Sequence, residues 1–598
     1  MKKRITFVLA LLLLLSCVMP IAAVAPADGA VAAAQAAISA AVGVDAPGAA
    51  IVLYEGGVLK MADGFGYADL DTRLLVTPDT VFEIGDFSAL FVAVAALKLA
   101  NSGAFSLDAD IATYLPDRFV KKLELTYPIT TRQLLRGRAG FGGRIFDLSF
   151  EKPTHAFESL EEALLADVPT QLFAPDTATH RSAFGIALAA FVIENVTGKP
   201  YEQYVQDELL SPLGMQQTVL HFTDKEQPEK AATGYIYQAD GSFTEAPRGG
   251  RSYAGLYPAT GALSTAADLS RFLGWLACAE GASVRDQLLA TASGDAFGMG
   301  GMVLTAVGTR AVLQTATPYF SLSFSFDSAS GSSALVLANV CDTVLLDFPA
   351  AYMPLGTASA TLPDGEMLDL KDLRGTYVSA DAEYRTFVGR LSIAQKRVSV
   401  RANDDGTLQF LDMRLVQIAR GVFADADADT NRPVVQFLLD HEGEVSAVVT
   451  ASGDTYTALP FYLSRVPAAL LYGLLLLLMA WFLISGVFAL LRYITDRYNG
   501  DRSERAVVLI PQLLALLLAA FVGVQVLVAA RMGASALSSF YFAMRVMTLL
   551  AAIGTTVAYI IGFVATMIER ELHRRIAYTG IMLVVFLFVI GFWGLTVI

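Results

Sequence analysis

The hydrophobic positions of residues 28–355 follow two short-range patterns. Ala49–Tyr54 and Val58–Met61 are apolar runs separated by a Glu-Gly-Gly turn, which predicts a β-hairpin. Phe87–Ala100 and Ala183–Val196 are apolar at helical spacing and are long enough to be buried helices. Strands mixed with helices in this way predict an α+β domain in which helices lie beside an antiparallel sheet.

Residues 366–460 show a different pattern. Val398–Arg401 alternates apolar and polar residues, and Val434–Leu439 is a second short strand-like run. Turn signals stand close to them, at Asp404-Asp405-Gly406 and at Glu442-Gly443. Strand and turn signals at such short intervals predict a small all-β domain.

Residues 461–598 consist mainly of long apolar stretches. Each stretch is long enough to cross the ~30 Å hydrocarbon core of a membrane. The expected fold of this part is an all-α bundle of four transmembrane helices. The predicted spans are Val466–Leu491, Ala506–Ala530, Phe540–Ile568 and Ile576–Ile598.

The N-terminus has the pattern of a secretory signal peptide, which we assign to residues 1–27. Met1–Arg4 is basic, Ile5–Val18 is almost wholly apolar, and Ala23–Ala25 is a small-x-small cleavage signal. Leu14–Cys17 also resembles a bacterial lipobox, so Cys17 is either removed with the signal or lipidated as the mature N-terminus.

The distribution of arginine predicts the orientation in the membrane. Residues 461–598 contain ten arginines, no lysine and five acidic residues. Seven of those arginines lie in the connections 492–505 and 569–575, whereas the connection 531–539 has one. The positive-inside rule places the two arginine-rich connections in the cytoplasm. The chain is therefore expected to be a multi-pass protein of the cell membrane with its large N-terminal region outside the cell.

Composition excludes several classes of function. Of the 598 residues 54% are apolar and 17% are charged, against about 25% charged in a typical soluble protein. The net charge of −14 offers no basic surface for nucleic acid, so no nucleic-acid partner is expected. Three cysteines and five histidines, with no pair at metal-ligand spacing, predict neither a disulfide scaffold nor a metal site. No cofactor is expected.

A series of stretches in residues 28–355 resembles the serine β-lactamase and penicillin-binding-protein superfamily, in particular its class C β-lactamase-related branch. No single stretch is specific, but together they extend over most of the domain in the family's order. They are Pro47–Val52, Gly64–Leu70, Thr77–Gly85, Ser106–Asp108, Tyr114–Pro116, Val196–Tyr201, Pro212–Met215 and Gly261–Leu269. The resemblance implies a β-lactamase-like domain at 28–355, and it implies that the β-rich segment at 366–460 is the barrel-like domain often fused behind such domains.

The family's chemistry depends on three motifs. A serine at the start of a buried helix is the nucleophile, and a lysine three residues later takes its proton. A Tyr-x-Asn element and a His/Lys-x-Gly strand complete the site. The residues of this chain at those positions are Asp86 and Ala89 for Ser-x-x-Lys, Arg181 and Ala183 for Tyr-x-Asn, and Gln314, to within one residue, for the strand.

All of these positions have lost the residue that the family's chemistry needs. We therefore expect no catalytic residues, only a vestigial pocket at Asp86, Ala89, Arg181, Ala183 and Gln314. Ser88 lies two residues beyond the nucleophile position, has no lysine three or four residues on, and is expected to be a helix-packing serine. If the fold joins the two motifs as in relatives, Asp86 faces Arg181.

Three functional hypotheses follow. The leading one is a membrane-anchored pseudoenzyme with a binding, scaffolding or regulatory role at the cell envelope, for a cell-wall peptide or a membrane protein partner. The second is an active serine-hydrolase-like enzyme of the β-lactamase-related family that cleaves a cell-wall peptide, amide or ester with unorthodox groups. The third is the sensor domain of a membrane transport or signalling accessory.

Overall fold

The computed structural model describes most of the chain after residue 28. The described residues are 29–141, 149–150, 157–166, 168–169, 171, 174–176, 179, 182–222, 228, 230–238, 240–247, 253–290, 298–304, 310–341, 343–349, 365–379, 393, 397–427, 433–439, 443–450, 455–459, 464–494, 502–532, 538–568, 574–593 and 595. The predicted signal peptide, Cys17 and Arg181 lie outside them.

The N-terminal domain contains these strands and helices. The strands are β1 (Gly48–Glu55), β2 (Val58–Asp69), β3 (Leu74–Leu75), β4 (Val81–Glu83), β5 (Ser149–Phe150), β6 (Tyr235–Tyr237), β7 (Phe243–Glu245), β8 (Tyr253–Ala254), β9 (Leu263–Thr265), β10 (Val303–Leu304), β11 (Arg310–Ala316), β12 (Ser321–Asp327) and β13 (Ser332–Ala338). The helices are α1 (Gly29–Ala41), α2 (Ser88–Asn101), α3 (Asp117–Leu123), α4 (Thr131–Leu135), α5 (Leu160–Ala166), α6 (Ala183–Thr197), α7 (Tyr201–Val205), α8 (Tyr257–Thr260), α9 (Ala266–Ala277) and α10 (Ala282–Leu289).

A seven-stranded antiparallel sheet, ordered β10-β11-β12-β13-β1-β2-β3, forms the centre of this domain. The predicted hairpin is confirmed, since β1 pairs with β2 across the Gly56-Gly57 turn. Side chains of a strand alternate between faces, and those of β1 enter two different cores. Ala50 and Val52 pack in the core that contains α2, whereas Ala49 and Ile51 pack in the core that contains α1. The sheet therefore has helices on both faces, which explains why β1 is continuously apolar.

Both predicted buried helices are present. α2 is buried almost all round, as expected for a helix that is apolar on every face. α6 begins where the Ser182 side chain accepts a hydrogen bond from the N–H of Gly185 at 3.2 Å, and it ends at Gly198 with φ +68°. Serine at the N-cap and a left-handed glycine after the last turn are common helix boundaries. α2 and α6 pack together in the main core of the domain.

The second domain is a closed eight-stranded barrel, as the resemblance implied. Its strands follow each other in sequence order, and the first pairs with the last through Tyr377 and Ala458. The interior is filled by aromatic and aliphatic side chains, among them Phe410, Phe423 and Phe437. The strands are β14 (Gly375–Ser379), β15 (Val398–Ala402), β16 (Leu408–Phe410), β17 (Met413–Ala419), β18 (Val422–Asp425), β19 (Pro433–Leu439), β20 (Val445–Thr450) and β21 (Thr455–Ala458).

The C-terminal region is helical: α11 (Arg465–Ile494), α12 (Arg502–Met532), α13 (Ser538–Ile568) and α14 (Arg574–Phe592). Among the described residues, three segments are long and apolar enough to cross a membrane: Val466–Leu491, Leu509–Leu527 and Met544–Val564, with mean hydropathies of 2.7, 2.2 and 2.0. The fourth predicted span, Ile576–Ile598, corresponds to a shorter apolar helix, Tyr578–Phe592. The whole of α14, Arg574–Phe592, has 19 residues and at 1.5 Å per residue is about 28 Å long, close to the ~30 Å hydrocarbon thickness.

The shorter helix is attached to its neighbours by a buried amide. Gln525 of α12 is fully buried. Its side chain donates hydrogen bonds to the hydroxyl of Thr548 in α13 and to the carbonyl of Leu595, 3.2 Å away, just beyond α14. Polar side chains that join helices in this way stabilise membrane bundles by roughly 0.6 kcal/mol on average.

Candidate functional site

The turn that carries Asp86 joins β4 to α2. A single 3-10 turn, Gly85–Phe87, changes the chain direction before α2 begins at Ser88. Gly85 has φ +51°, and a Cβ placed on it would lie 2.6 Å from the Thr315 hydroxyl oxygen of β11. Glycine is therefore needed here both for its backbone conformation and for the close approach of the sheet.

The backbone at Asp86 is hydrogen-bonded to the sheet. Its N–H donates to Oγ1 of Thr315 at 3.0 Å, and the Thr315 side chain is almost completely buried. A main-chain N–H at the nucleophile position is the kind of donor that stabilises an oxyanion in acyl transfer. In this chain a threonine hydroxyl occupies that donor, so an oxyanion would have to displace it. Asp86 itself is half-buried.

Ala89 occupies the position of the general base in the first turn of α2. It is buried in the main core. A methyl group surrounded by apolar side chains has no means to accept a proton, and an ionised lysine in its place would need a partner for its charge.

Ser88 has a structural role, as predicted. It is 1% exposed. Its hydroxyl donates to the carbonyl of Gly85 at 2.6 Å and accepts the N–H of Ala262 at 3.1 Å. It thus joins the start of α2 to the loop before β9, and it is not presented to solvent as a nucleophile.

The strand position that reaches this turn is Thr315, one residue beyond Gln314. The Gln314 side chain donates to the carbonyl of Leu346 at 2.8 Å, in the 3-10 helix Val344–Asp347. That short helix belongs to the core on the opposite face of the sheet from α2. Because side chains alternate along a strand, Gln314 cannot also face Asp86. Its assignment to the vestigial pocket is corrected to Thr315.

Ala183 is the first residue of α6, and Arg181 lies outside the described residues. Ala183 is half-buried. Next to it, Phe184 packs edge-on against Phe141 with ring centroids 5.2 Å apart. The contact between Asp86 and Arg181 stays a prediction.

A polar network that the sequence analysis missed lies beside the start of α6. Nε of Arg138 is 3.2 Å from Oδ1 of Asp176, and its Nη1 donates to the hydroxyl of Thr179 at 3.2 Å. The Gln133 amide donates to the other oxygen of Asp176 at 2.6 Å. The network joins the loop after α4 to the segment that leads into α6. The sequence indicated this network only through Arg138, which stands in the loop where the family usually has Thr-His-Thr-Ser-Gly.

Residues 34–339, which are more than half of the chain, match the family model described as Beta-lactamase. The chain belongs to the beta-lactamase family. This beta-lactamase family member is 28% identical over 202 residues to protein flp of Staphylococcus aureus (strain MW2), covering 34% of this chain and 40% of that protein. It is 29% identical over 174 residues to penicillin-binding protein 4 of Amycolatopsis lactamdurans, covering 29% of this chain and 44% of that protein. The chain thus spans less than half the length of these curated relatives.

Two solved structures to which the chain is similar are the following. The octameric penicillin-binding protein homologue from Pyrococcus abyssi is 18% identical with a TM-score of 0.43, and the match covers 72% of this chain and 98% of that one. FmtA from Staphylococcus aureus is 18% identical with a TM-score of 0.45, and the match covers 57% of this chain and 93% of that one.

Proposed function

We propose that this beta-lactamase family member is a membrane-anchored pseudoenzyme whose extracytoplasmic domain binds, scaffolds or regulates at the cell envelope. The observation that carries the proposal is the turn Gly85–Phe87. An aspartate stands at the nucleophile position, and its N–H is already hydrogen-bonded to Thr315.

The residues around this turn support the loss of acylation chemistry. Serine attack on a carbonyl needs a nucleophile, a base and a free oxyanion donor. Asp86 is not a hydroxyl, Ala89 is not a base, and the N–H donor is occupied by a buried side chain. Ser88 cannot replace the nucleophile without losing both of its hydrogen bonds.

The rest of the chain supports a role at the envelope. The signal peptide predicted at 1–27 directs the N-terminal region out of the cytoplasm, and three helices long enough to span a membrane follow the barrel. One relative is named a penicillin-binding protein. Penicillins imitate cell-wall peptides, so the ligand that we propose is a cell-wall peptide, with a membrane protein partner as the alternative.

The test of the pseudoenzyme is covalent labelling of the full chain in detergent. The purified protein is incubated with a fluorescent penicillin and, separately, with nitrocefin, beside an active serine penicillin-binding protein as the positive control. We expect no label that survives denaturation and no nitrocefin turnover. Label or turnover that disappears in Asp86→Ala would show that the aspartate is a working nucleophile and would overturn the proposal.

The orientation has a separate test. In intact cells, single cysteines are placed at Gly500 and Ser535 in a background from which Cys17, Cys278 and Cys341 have been removed; Cys278 is exposed and would otherwise react. An impermeant maleimide is expected to modify the cysteine at 535 and not the one at 500. The reverse result would contradict the proposed extracytoplasmic location.

A further inference from the structure

A cavity of about 550 Å³ opens at the C-terminal end of α6. Among the described residues, those that line it include none of the turn Gly85–Phe87, so its lining is distinct from the Asp86 turn. Its size is in the range of small-molecule binding sites.

Four glutamates line this cavity, and three of them, Glu158, Glu194 and Glu202, have no ion pair with a cationic side chain among the described residues. Glu194, in the last turn of α6, accepts the N–H of Tyr201 at 2.8 Å. Glu202, in α7, accepts the hydroxyl of Tyr257 at 2.7 Å. Burial raises the pKa of Glu194, and the nearby charge of Glu202 raises it further. Because both carboxylates line the same cavity, a cation bound in it can contact both of them.

The basic side chains of the wall are engaged with other acids. Arg118 pairs with Glu161 at 3.2 Å, and Lys199 pairs with Asp207 at 2.9 Å. Neither neutralises Glu194 or Glu202 in the described contacts. Burial lowers the pKa of the His221 imidazole below its ordinary value of 6.5, against the opposing effect of the Glu202 charge, and so disfavours its positively charged form.

The wall of the cavity also contains apolar and aromatic side chains. The rings of Tyr257 and His221 are stacked, with centroids 4.0 Å apart and planes 8° from parallel. Phe191 and Leu160 contribute apolar wall from α6 and α5. Next to Glu202, the hydroxyl of Tyr201 is fully buried and has no hydrogen-bond partner among the described residues. Apolar walls with a few convergent polar groups are typical of sites that bind small organic molecules.

We propose that this cavity binds a small organic cation, an ammonium or guanidinium group on a compact apolar body, which Glu194 and Glu202 recognise. The carboxylates supply charge-assisted hydrogen bonds, the strong kind that fix a charged group. Phe191, Leu160 and Tyr257 enclose the apolar part. This proposal does not rest on the state of the Asp86 site.

The test compares three probes of similar shape and different charge. Benzylammonium, benzyl alcohol and benzoate are titrated into the full chain in detergent by isothermal titration calorimetry, in a buffer free of amines. We expect saturable one-to-one binding of benzylammonium. The neutral and anionic probes should bind at least about tenfold more weakly, because they cannot compensate the two carboxylates.

Matched variants assign that binding to the cavity. Glu194→Gln and Glu202→Gln should each weaken benzylammonium binding at least about tenfold, because each removes a charge-assisted contact. Glu280→Gln, at an exposed glutamate after α9, should leave it unchanged.

Several outcomes would overturn the proposal. They are equal binding of the three probes, no saturable binding of benzylammonium, and affinity unchanged in both glutamine variants. If one glutamine variant fails to fold, as judged by its melting temperature, the other variant, compared with Glu280→Gln, decides.

Discussion

The two ends of α6 differ in how their polar groups are used. At the N-terminal end, near the Asp86 turn, the described groups bond to each other: the N–H of Asp86 to Thr315, and Arg138 to Asp176. At the C-terminal end, Glu194 and Glu202 line a cavity, and neither has an ion pair with a cationic side chain among the described residues. The first end carries the positions at which the sequence predicts that the family's catalytic groups have been replaced. The carboxylates without an ion-pair partner among the described residues lie at the second, C-terminal end. Family motifs therefore predict where the family's catalytic site lies in this protein. The second site is indicated only by its unpaired carboxylates and by the cavity that they line.

The strongest test of the N-terminal end is the pair predicted between Asp86 and Arg181. Removing one partner of a buried ion pair costs about 3–5 kcal/mol, and because Asp86 is half-buried we expect the lower end of that range. Asp86→Ala and Arg181→Ala should each cost about 3 kcal/mol, and the double variant should cost much less than their sum. The measurement is urea unfolding of the full chain in detergent, followed by the fluorescence of Trp275 with Trp481 and Trp593 replaced by phenylalanine.

Additive costs would show that the two side chains do not meet. The statement that the polar groups near the N-terminal end of α6 bond to each other would then rest only on the contacts of Thr315 and Arg138.

The next prediction isolates the close approach of β11 to the turn. Gly85→Ala must adopt a left-handed conformation and place its Cβ 2.6 Å from the Thr315 hydroxyl oxygen, for a cost of about 2–3 kcal/mol. Gly103→Ala is the matched control, because Gly103 has φ +81° but nothing within 4 Å of the added Cβ. It should cost about 1 kcal/mol in the same unfolding assay. Equal costs would mean that backbone strain alone, and not the contact with the sheet, makes glycine necessary at 85.

The third prediction concerns the hydrogen bond at the vacated nucleophile position. Thr315→Val keeps the shape of the side chain and removes the acceptor for the N–H of Asp86, so the protein should lose about 1–2 kcal/mol of stability. Thr315→Ser keeps the hydroxyl and should recover the part due to the hydrogen bond. If Thr315→Ser is no more stable than Thr315→Val, the hydroxyl contributes nothing, and the N–H of Asp86 is effectively free.

The sequence predicted the scaffold better than the site. β1, β2, α2 and α6 were predicted because each is a long apolar pattern whose period matches its structure. Thr315 was missed by one residue, because a strand shifted by one position exchanges its faces and no His or Lys marked the register. Glu194 and Glu202 were missed for another reason: each looks like a solvated helix carboxylate until folding brings Tyr257 and His221 beside them.

The smallest effect on stability is expected from the ion pair between Asp108 and Arg132. Arg132 lies in α4, the helix that precedes the loop with Arg138. The Arg132 guanidinium donates to both Asp108 oxygens, at 2.6 and 2.9 Å, and this hydrogen bonding holds the pKa of Asp108 below its ordinary value. The Asp108 side chain is 64% exposed, so solvent screening limits the contribution to below about 1 kcal/mol.

The contribution of this ion pair to the free energy of unfolding depends on pH, which distinguishes it from a contribution of side-chain packing. A carboxyl whose pKa is depressed by folding stabilises the protein above its unfolded pKa, about 3.9, and loses that contribution as pH falls through the lower folded pKa. Asp108→Asn should therefore be less stable than the unmodified chain by a constant amount between about pH 5 and pH 7, and the difference should vanish near pH 2. Asp71→Asn, at an exposed turn aspartate, serves as the control for general loss of negative charge. A stability difference that persists unchanged at the lowest pH would mean that Asp108 acts through its shape and through hydrogen bonding as a neutral group. The contact between Asp108 and Arg132 would then not stabilise the protein as an ion pair.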